Sequence, residues 1–158
     1  MKGIEEYIAL DPSSPTYLSW IKAPLRGRVK VGEPALISLS KTNYYRGKFQ
    51  QKNLLAHRVV YYLATGIEPP AMLDHTDGNR QNNNPDNLRA VTARENNHNR
   101  HACKGYHWRS NRNHWCAQIH VDGKEIYLGS FQTEAEARAA YLEGKRIYHP
   151  SAPVHLLN

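Results

Sequence analysis

The chain has 158 residues, enough for one ordinary domain or two small ones. Lys and Arg number 21 against 14 Asp and Glu, a formal net charge of +7 with nine histidines besides, which favours polyanionic partners, nucleic acid first. No apolar run approaches the ~20 residues of a membrane span, and the two cysteines, Cys103 and Cys116, make no disulfide framework. The opening MKGIEEYIAL carries acids where a signal peptide has a basic region and a long apolar core, so a cytoplasmic protein is expected.

Residues 1–50 hold short apolar patches. Tyr17–Ile21 is one, Arg26–Gly32 is a basic strand or turn, and Ala35–Leu39 is a further strand. Tyr44–Phe49 reads as a hairpin with Gly47 near its turn. Two roles fit this part, a basic arm that touches phosphates and a small sheet that covers the core built by later residues. Leu54–Thr65 reads as a helix, because Leu55, Val59, Tyr62 and Leu63 fall on one face and Gly66 suits the left-handed position that ends a helix. Within it, His57 is expected to be a hydrogen-bonded packing residue. Pro69-Pro70 then forces extended chain ahead of Asp74.

The stretch 73–100 organises the rest. Ala71-Met72-Leu73 leads into Asp74-His75, a polar Asn-rich loop with an Asp77-Gly78 turn comes next, and Leu88–Val91 forms a second short strand. Thr92-Ala93-Arg94-Glu95 reads as a capping box that starts a helix. In a strand–loop–strand–helix unit of this kind, the Asp74 carboxylate, the His75 imidazole and the Asn96 amide are the equipment for holding a hard cation and activating a water.

Asp74-His75, Gly78-Asn79, Asn87-Leu88-Arg89 and Glu95-Asn96-Asn97 together resemble the HNH endonuclease family, whose core is a two-stranded hairpin and a helix around one metal ion. The three letters of the name fall on His75, Asn87 and Asn96. The third position is thus Asn where many members carry His, as in the phage and intron-homing branch. The resemblance implies a metal-dependent DNA endonuclease, cytoplasmic in a bacterial host and encoded by the host or a phage. His75 would be the general base, Asp74 and Asn96 the ligands of one Mg²⁺ or Mn²⁺ ion, and Asn87 the residue that ties the loop and orients His75. Arg100, one helical turn beyond Asn96, would reach a phosphate. His75 suits the base role because an ordinary imidazole is largely neutral near pH 7. Oxygen donors suit Mg²⁺ or Mn²⁺ better than zinc.

Three alternating runs come after this stretch, Tyr106–Arg109, His114–Val121 and Glu125–Leu128, with Asp122-Gly123 as a hairpin signal between the last two. Trp115, Ala117, Ile119 and Val121 share one face of the middle run. Thr133–Glu136 is a second capping box, and Ala137, Ala140, Tyr141, Gly144 and Tyr148 form one helical stripe ended by His149-Pro150. With Gly105-Tyr106 and Leu128-Gly129-Ser130-Phe131, this pattern is similar to the AP2 DNA-binding domain, in which the sheet lies in the major groove. Lys104, His107, Arg109, Gln118, His120 and Tyr127 stand where such domains place contacts. Of the family positions that are normally Arg, only Arg109 keeps it.

The expected fold is therefore α+β. A ββα-metal nuclease domain over 1–100 (a β-rich part to residue 50, the HNH core over 53–100) precedes an AP2-like three-stranded antiparallel sheet with one packed helix over 103–150. Double-stranded DNA is the expected partner, with no membrane and a monomer preferred. The alternatives are a DNA-binding regulator with an inactive nuclease core, a plain packing module at the C-terminal end, and a zinc-stabilised module using Cys103, His107, Cys116 and His120.

Overall fold

In the computed structural model, residues 1–24, 28–98, 104–150 and 152 are described, with residues 97 and 98 as backbone only. Arg100, Cys103 and part of the basic run 26–32 lie outside them. The protein is mixed α+β, and its chain divides into two compact units, Met1–Val91 and Thr92–Asn158. Among the described residues no helix is long and apolar enough to cross a membrane.

The first unit opens with strand β1 (Ile8–Leu10) paired antiparallel to β2 (Leu18–Trp20). Ser14 and Thr16 close the connection from inside: both are buried, and their hydroxyls donate to the Leu18 carbonyl (2.7 Å) and the Ala35 carbonyl (2.6 Å). A buried carbonyl without a partner is costly, so these hydroxyls let an irregular loop enter the core. Strands β3 (Ser38–Leu39), β4 (Tyr45–Phe49) and β5 (Lys52–Leu55) form an antiparallel sheet in that order.

The hairpin differs from its sequence reading. Its turn is Gln50-Gln51, both at positive φ (46° and 65°), while Gly47 lies mid-strand opposite Leu54. Gly47 is needed there for space, because a Cβ would stand 2.6 Å from Leu36 Cδ2 and 2.9 Å from Leu36 Cα.

β5 runs directly into helix α1 (Ala56–Thr65), which Gly66 ends at φ 70°, donating to the Tyr62 carbonyl at 2.8 Å. The helix starts later than its apolar pattern suggests because Leu54 and Leu55 are paired in β5. Its buried face is accordingly Ala56, His57, Val59 and Val60, with Tyr62 and Leu63 partly covered. These residues pack with Ile4, Ile8, Leu18, Trp20, Ala35, Leu36, Phe49 and Leu88 in one core. The described residues before position 50 thus supply much of the unit's core. The unit ends in the hairpin β6 (Leu73–His75) and β7 (Leu88–Ala90), joined by the loop 76–87.

The second unit begins with helix α2 (Ala93–His98), where Glu95 Oε2 accepts from the Thr92 N–H (2.7 Å) and the Glu95 N–H donates to Thr92 Oγ1 (3.2 Å). Strands β8 (Tyr106–Arg109), β9 (His114–Val121) and β10 (Lys124–Phe131) form an antiparallel sheet with β9 central. Asp122-Gly123 turns between β9 and β10 with φ 52° and 76°, the left-handed pair that two-residue hairpins favour. Helix α3 (Glu134–Tyr148) carries both hydrogen bonds of its Thr133–Glu136 capping box. It packs Ala137, Ala140 and Tyr141 on Ala117, Ile119, Trp115 and Leu128. Small residues permit this approach: a Cβ at Gly144 would lie 2.7 Å from Leu128 Cδ1.

Candidate active site

The hairpin β6–β7 divides its two lead residues between faces. His75 pairs with Leu88 and Asp74 with Arg89, and successive strand residues point oppositely. His75 therefore turns inward beside buried Leu88, while the Asp74 carboxylate accepts from Arg89 Nη2 at 3.1 Å. Asp74 acts on His75 as a nearby charge.

His75 is 2% exposed and stands among rings. Its centroid lies 5.8 Å from Tyr44 and 5.3 Å from His57, and Tyr44 and His57 are 5.1 Å apart. One polar neighbour fixes its orientation. His75 Nε2 is 3.4 Å from Asn83 Oδ1, and Asn83 Nδ2 donates to the Thr16 carbonyl at 3.2 Å. The second bond decides which end of the amide faces His75: it must be the oxygen. An oxygen accepts, so Nε2 carries the proton and Nδ1 keeps the lone pair. Burial pushes His75 below its ordinary value, against the Asn83 hydrogen bond and the charges of Asp77 and Asp74, which favour the imidazolium. The ring is thus a neutral base near pH 7 with a defined tautomer.

His57 is buried and packed, and its Nδ1 has no hydrogen-bond partner. That differs from the hydrogen-bonded packing residue expected at this position. Burial first, then the His75 and Arg58 charges, pushes it down to about 3.

Asn87 knots the loop. Its side-chain nitrogen donates to Asp77 Oδ1 (2.9 Å) and the Asn82 carbonyl (2.8 Å), its Oδ1 accepts from the Asp77 N–H (3.0 Å), and its own carbonyl accepts from the Thr76 N–H (2.8 Å). The residue after His75 is thereby tied to the residue before Leu88, which closes the hairpin behind the imidazole. The Asp77 carboxylate also takes the Asn79 N–H (2.8 Å) and Asn82 Nδ2 (2.7 Å). Partial burial works to raise Asp77, but the Asn82, Asn87 and Asn79 donors outweigh it and hold its carboxyl below the usual range.

Asn96 is exposed on α2, in the second unit, and its N–H donates to the Thr92 carbonyl at 2.9 Å. Arg100 lies outside the described residues. Among the described residues no three His, Cys, Asp or Glu side chains converge. Of the expected ligands, the first unit holds the Asp74 carboxylate, and the other expected donor, the Asn96 amide, is also an oxygen. That hard and sparse donor set fits Mg²⁺ or Mn²⁺, which retain water, and fits zinc poorly.

The second unit presents a separate polar surface. His107, Arg109, Gln118, His120 and Tyr127 share the sheet face turned from α3, as their pairing with Cys116, His114 and Glu125 requires, and Lys104 is exposed just before β8. Three of these residues are engaged internally, Tyr127 through a 2.6 Å hydrogen bond between its hydroxyl and Ser130 Oγ and the other two through a carboxylate. Glu125 Oε2 accepts from Gln118 Nε2 (2.9 Å) and stands 3.4 Å from His120 Nε2, so a carboxylate sits amid the expected DNA contacts. Cys116 is a buried free thiol on this face, 4.0 Å from Ser130 Oγ.

Sequence reasoning passed over Asn83, Tyr44 and Arg80. Asn83 sits between two other asparagines, and only its burial separates it from them. No curated protein and no solved structure matches the chain. Residues 54–98, which run from the end of β5 through α1, the β6–β7 hairpin and its loop to α2, match the model of the HNH endonuclease family.

Proposed function

We propose that the protein is a metal-dependent DNA endonuclease of the phage or homing type that hydrolyses phosphodiester bonds in duplex DNA. Residues 1–100 would do the chemistry, and an AP2-like sheet over 103–150 would place them on DNA. The observation that carries the reading is the His75 imidazole, kept neutral by burial and in one tautomer by Asn83, inside a stretch that matches the HNH endonuclease family.

In this reading, His75 Nδ1 takes a proton from the water that attacks phosphorus, and the bond to the leaving 3′ oxygen breaks. Asn83 keeps the lone pair on Nδ1, and Asn87 keeps the strand ends closed so that the ring cannot retreat. Asp74 and Asn96 would hold one Mg²⁺ or Mn²⁺ ion, whose chemistry is to neutralise charge on the phosphate and the leaving oxygen. Arg89 holds the Asp74 carboxylate in place through its ion pair. Arg100 would add a phosphate contact. Lys104, His107, Arg109, Gln118, His120 and Tyr127 would bind the duplex, and the setting would be the cytoplasm.

The test is incubation of the pure protein with supercoiled plasmid, with and without Mg²⁺ or Mn²⁺, following nicked and linear forms. Cleavage should need the ion and stop with EDTA. His75→Ala should lower the rate by ~10²–10⁴ and leave DNA binding nearly intact, as loss of a general base does. Tight DNA binding with no cleavage under either ion would favour a regulator with an inactive core and overturn the nuclease reading.

A further inference from the structure

We propose that Arg80 is a phosphate-gripping residue of this site, its guanidinium set in place by the face of Tyr44. The inference rests on the nuclease reading and names a contact to the DNA strand that passes His75. Arg80 is exposed on the loop 76–87. Its Cζ lies 5.2 Å from the centroid of the Tyr44 ring, and Nη1 donates to the Thr42 carbonyl at 3.2 Å. The same Tyr44 ring packs on His57 and His75. One aromatic ring therefore separates the guanidinium from the imidazole, and the Arg80 charge is felt at His75.

Two other arginines of the first unit are placed differently: Arg89 is paired with Asp74, and Arg58 donates to the Pro69 carbonyl at 3.0 Å. Arg80 has no carboxylate within ion-pairing distance among the described residues. The nearest acid along the chain, Asp77, is saturated by Asn79, Asn82 and Asn87. A guanidinium has five N–H donors in a planar fork that matches two phosphate oxygens. Here one carbonyl and one ring face hold it without neutralising it, so little side-chain freedom is left to lose when a phosphate arrives. The plain alternative is an exposed Arg that caps a tyrosine, a contact of modest effect on stability. It would leave DNA binding untouched.

The two are separated by Arg80→Gln, which keeps a donor for the Thr42 carbonyl and loses the charge, and Arg80→Lys, which keeps the charge. Binding to a linear duplex is measured in EDTA over a range of salt, and nicking of supercoiled plasmid is measured with Mg²⁺. One lost phosphate contact lowers the slope of log K against log salt by ~0.9. We expect that change in Arg80→Gln and its reversal in Arg80→Lys. We also expect a drop of about tenfold in kcat/KM for Arg80→Gln, the size of one charged hydrogen bond, with melting temperatures unchanged. A wild-type salt slope in Arg80→Gln would overturn the assignment, and so would an Arg80→Lys slope as low as that of Arg80→Gln. Failure of the wild-type protein to nick DNA would count against the nuclease reading alone, because the slope is read without metal or cleavage.

Discussion

His57 makes the stability of the first unit depend on pH. The side chain is 5% exposed and its Nδ1 has no partner, so burial holds the ring neutral down to about pH 3, against an ordinary 6.5. The unfolded chain therefore binds a proton near pH 6.5 that the folded chain refuses. Stability from this residue is fully present above that pH and is lost as pH falls toward the folded value. The whole difference amounts to roughly 5 kcal/mol, of which roughly 3 kcal/mol is gone by about pH 4.5. His57→Phe keeps an aromatic ring against Tyr44 and His75 and removes the titration. At pH 7 the variant loses an orphaned nitrogen and gains some bulk, two opposing effects of ~1–3 kcal/mol each. Urea unfolding of both proteins at pH 7 and about pH 4.5, followed by tryptophan fluorescence, separates the effects. The wild-type midpoint should drop on acidification by about 1–3 M more than that of the variant. Equal drops in the two proteins would show that His57 is protonated in the folded state and would refute the argument. His75, His149 and Asp77 are also shifted downward in the fold. They add acid sensitivity of the same sign to both proteins; that of His149 and Asp77 cancels in the comparison, while His75, which touches His57, is coupled to the replaced ring.

Three further outcomes are expected. Asn83→Ala should lower kcat with little change in KM, because His75 loses the acceptor that fixes its tautomer, and should cost ~1–3 kcal/mol through the groups left unpaired; a plasmid-nicking assay beside a thermal melt checks both. Arg109→Ala should cost ~1–3 kcal/mol of discrimination at one base pair if Arg109 reads a guanine edge, and an equal loss on all sequences if it touches phosphate; binding to cleaved sites selected from a random library tells which. Gly105→Ala should destabilise the second unit by ~1–3 kcal/mol, seen as a lower melting temperature, because the new methyl would overlap the Tyr141 ring and stand 2.5 Å from the Gln118 carbonyl oxygen.

What the sequence disclosed was local chemistry. The two capping boxes and the Asp122-Gly123 turn announce themselves because each is satisfied within a few residues of chain. The Asp74-His75 pair and Asn87 stand out through the ordered pattern that resembles the HNH endonuclease family, all of it within one short hairpin and its loop. Asn83 did not stand out, since its partners are His75 and Thr16, and Thr16 is distant in sequence. Nor did Tyr44 and Arg80, which meet only after β4 has been folded against the loop. The Gln50-Gln51 turn carries no Gly, Asn or Asp to mark it, and Gly47 drew the turn toward itself although its role is clearance for Leu36. Glu125 was missed on the sheet face because cross-strand pairing, not periodicity, brings it to Gln118 and His120.

The direct passage from β5 into α1 limits where the chain can lengthen. Leu55 is at once the last strand residue and the cap of the helix, with extended dihedrals of −94° and 132°, and no spacer absorbs rotation. The strand register thus sets the angular phase of α1. At 3.6 residues per turn, one residue inserted between Leu54 and Leu55 would rotate the helix by about 100° relative to the sheet. Val59 and Val60 would leave the core, and His57 would swing away from Tyr44 and His75. An insertion at the Gln50-Gln51 turn would leave that phase intact. Length variation compatible with the imidazole cluster should therefore gather at the exposed turn and avoid the buried junction four residues later.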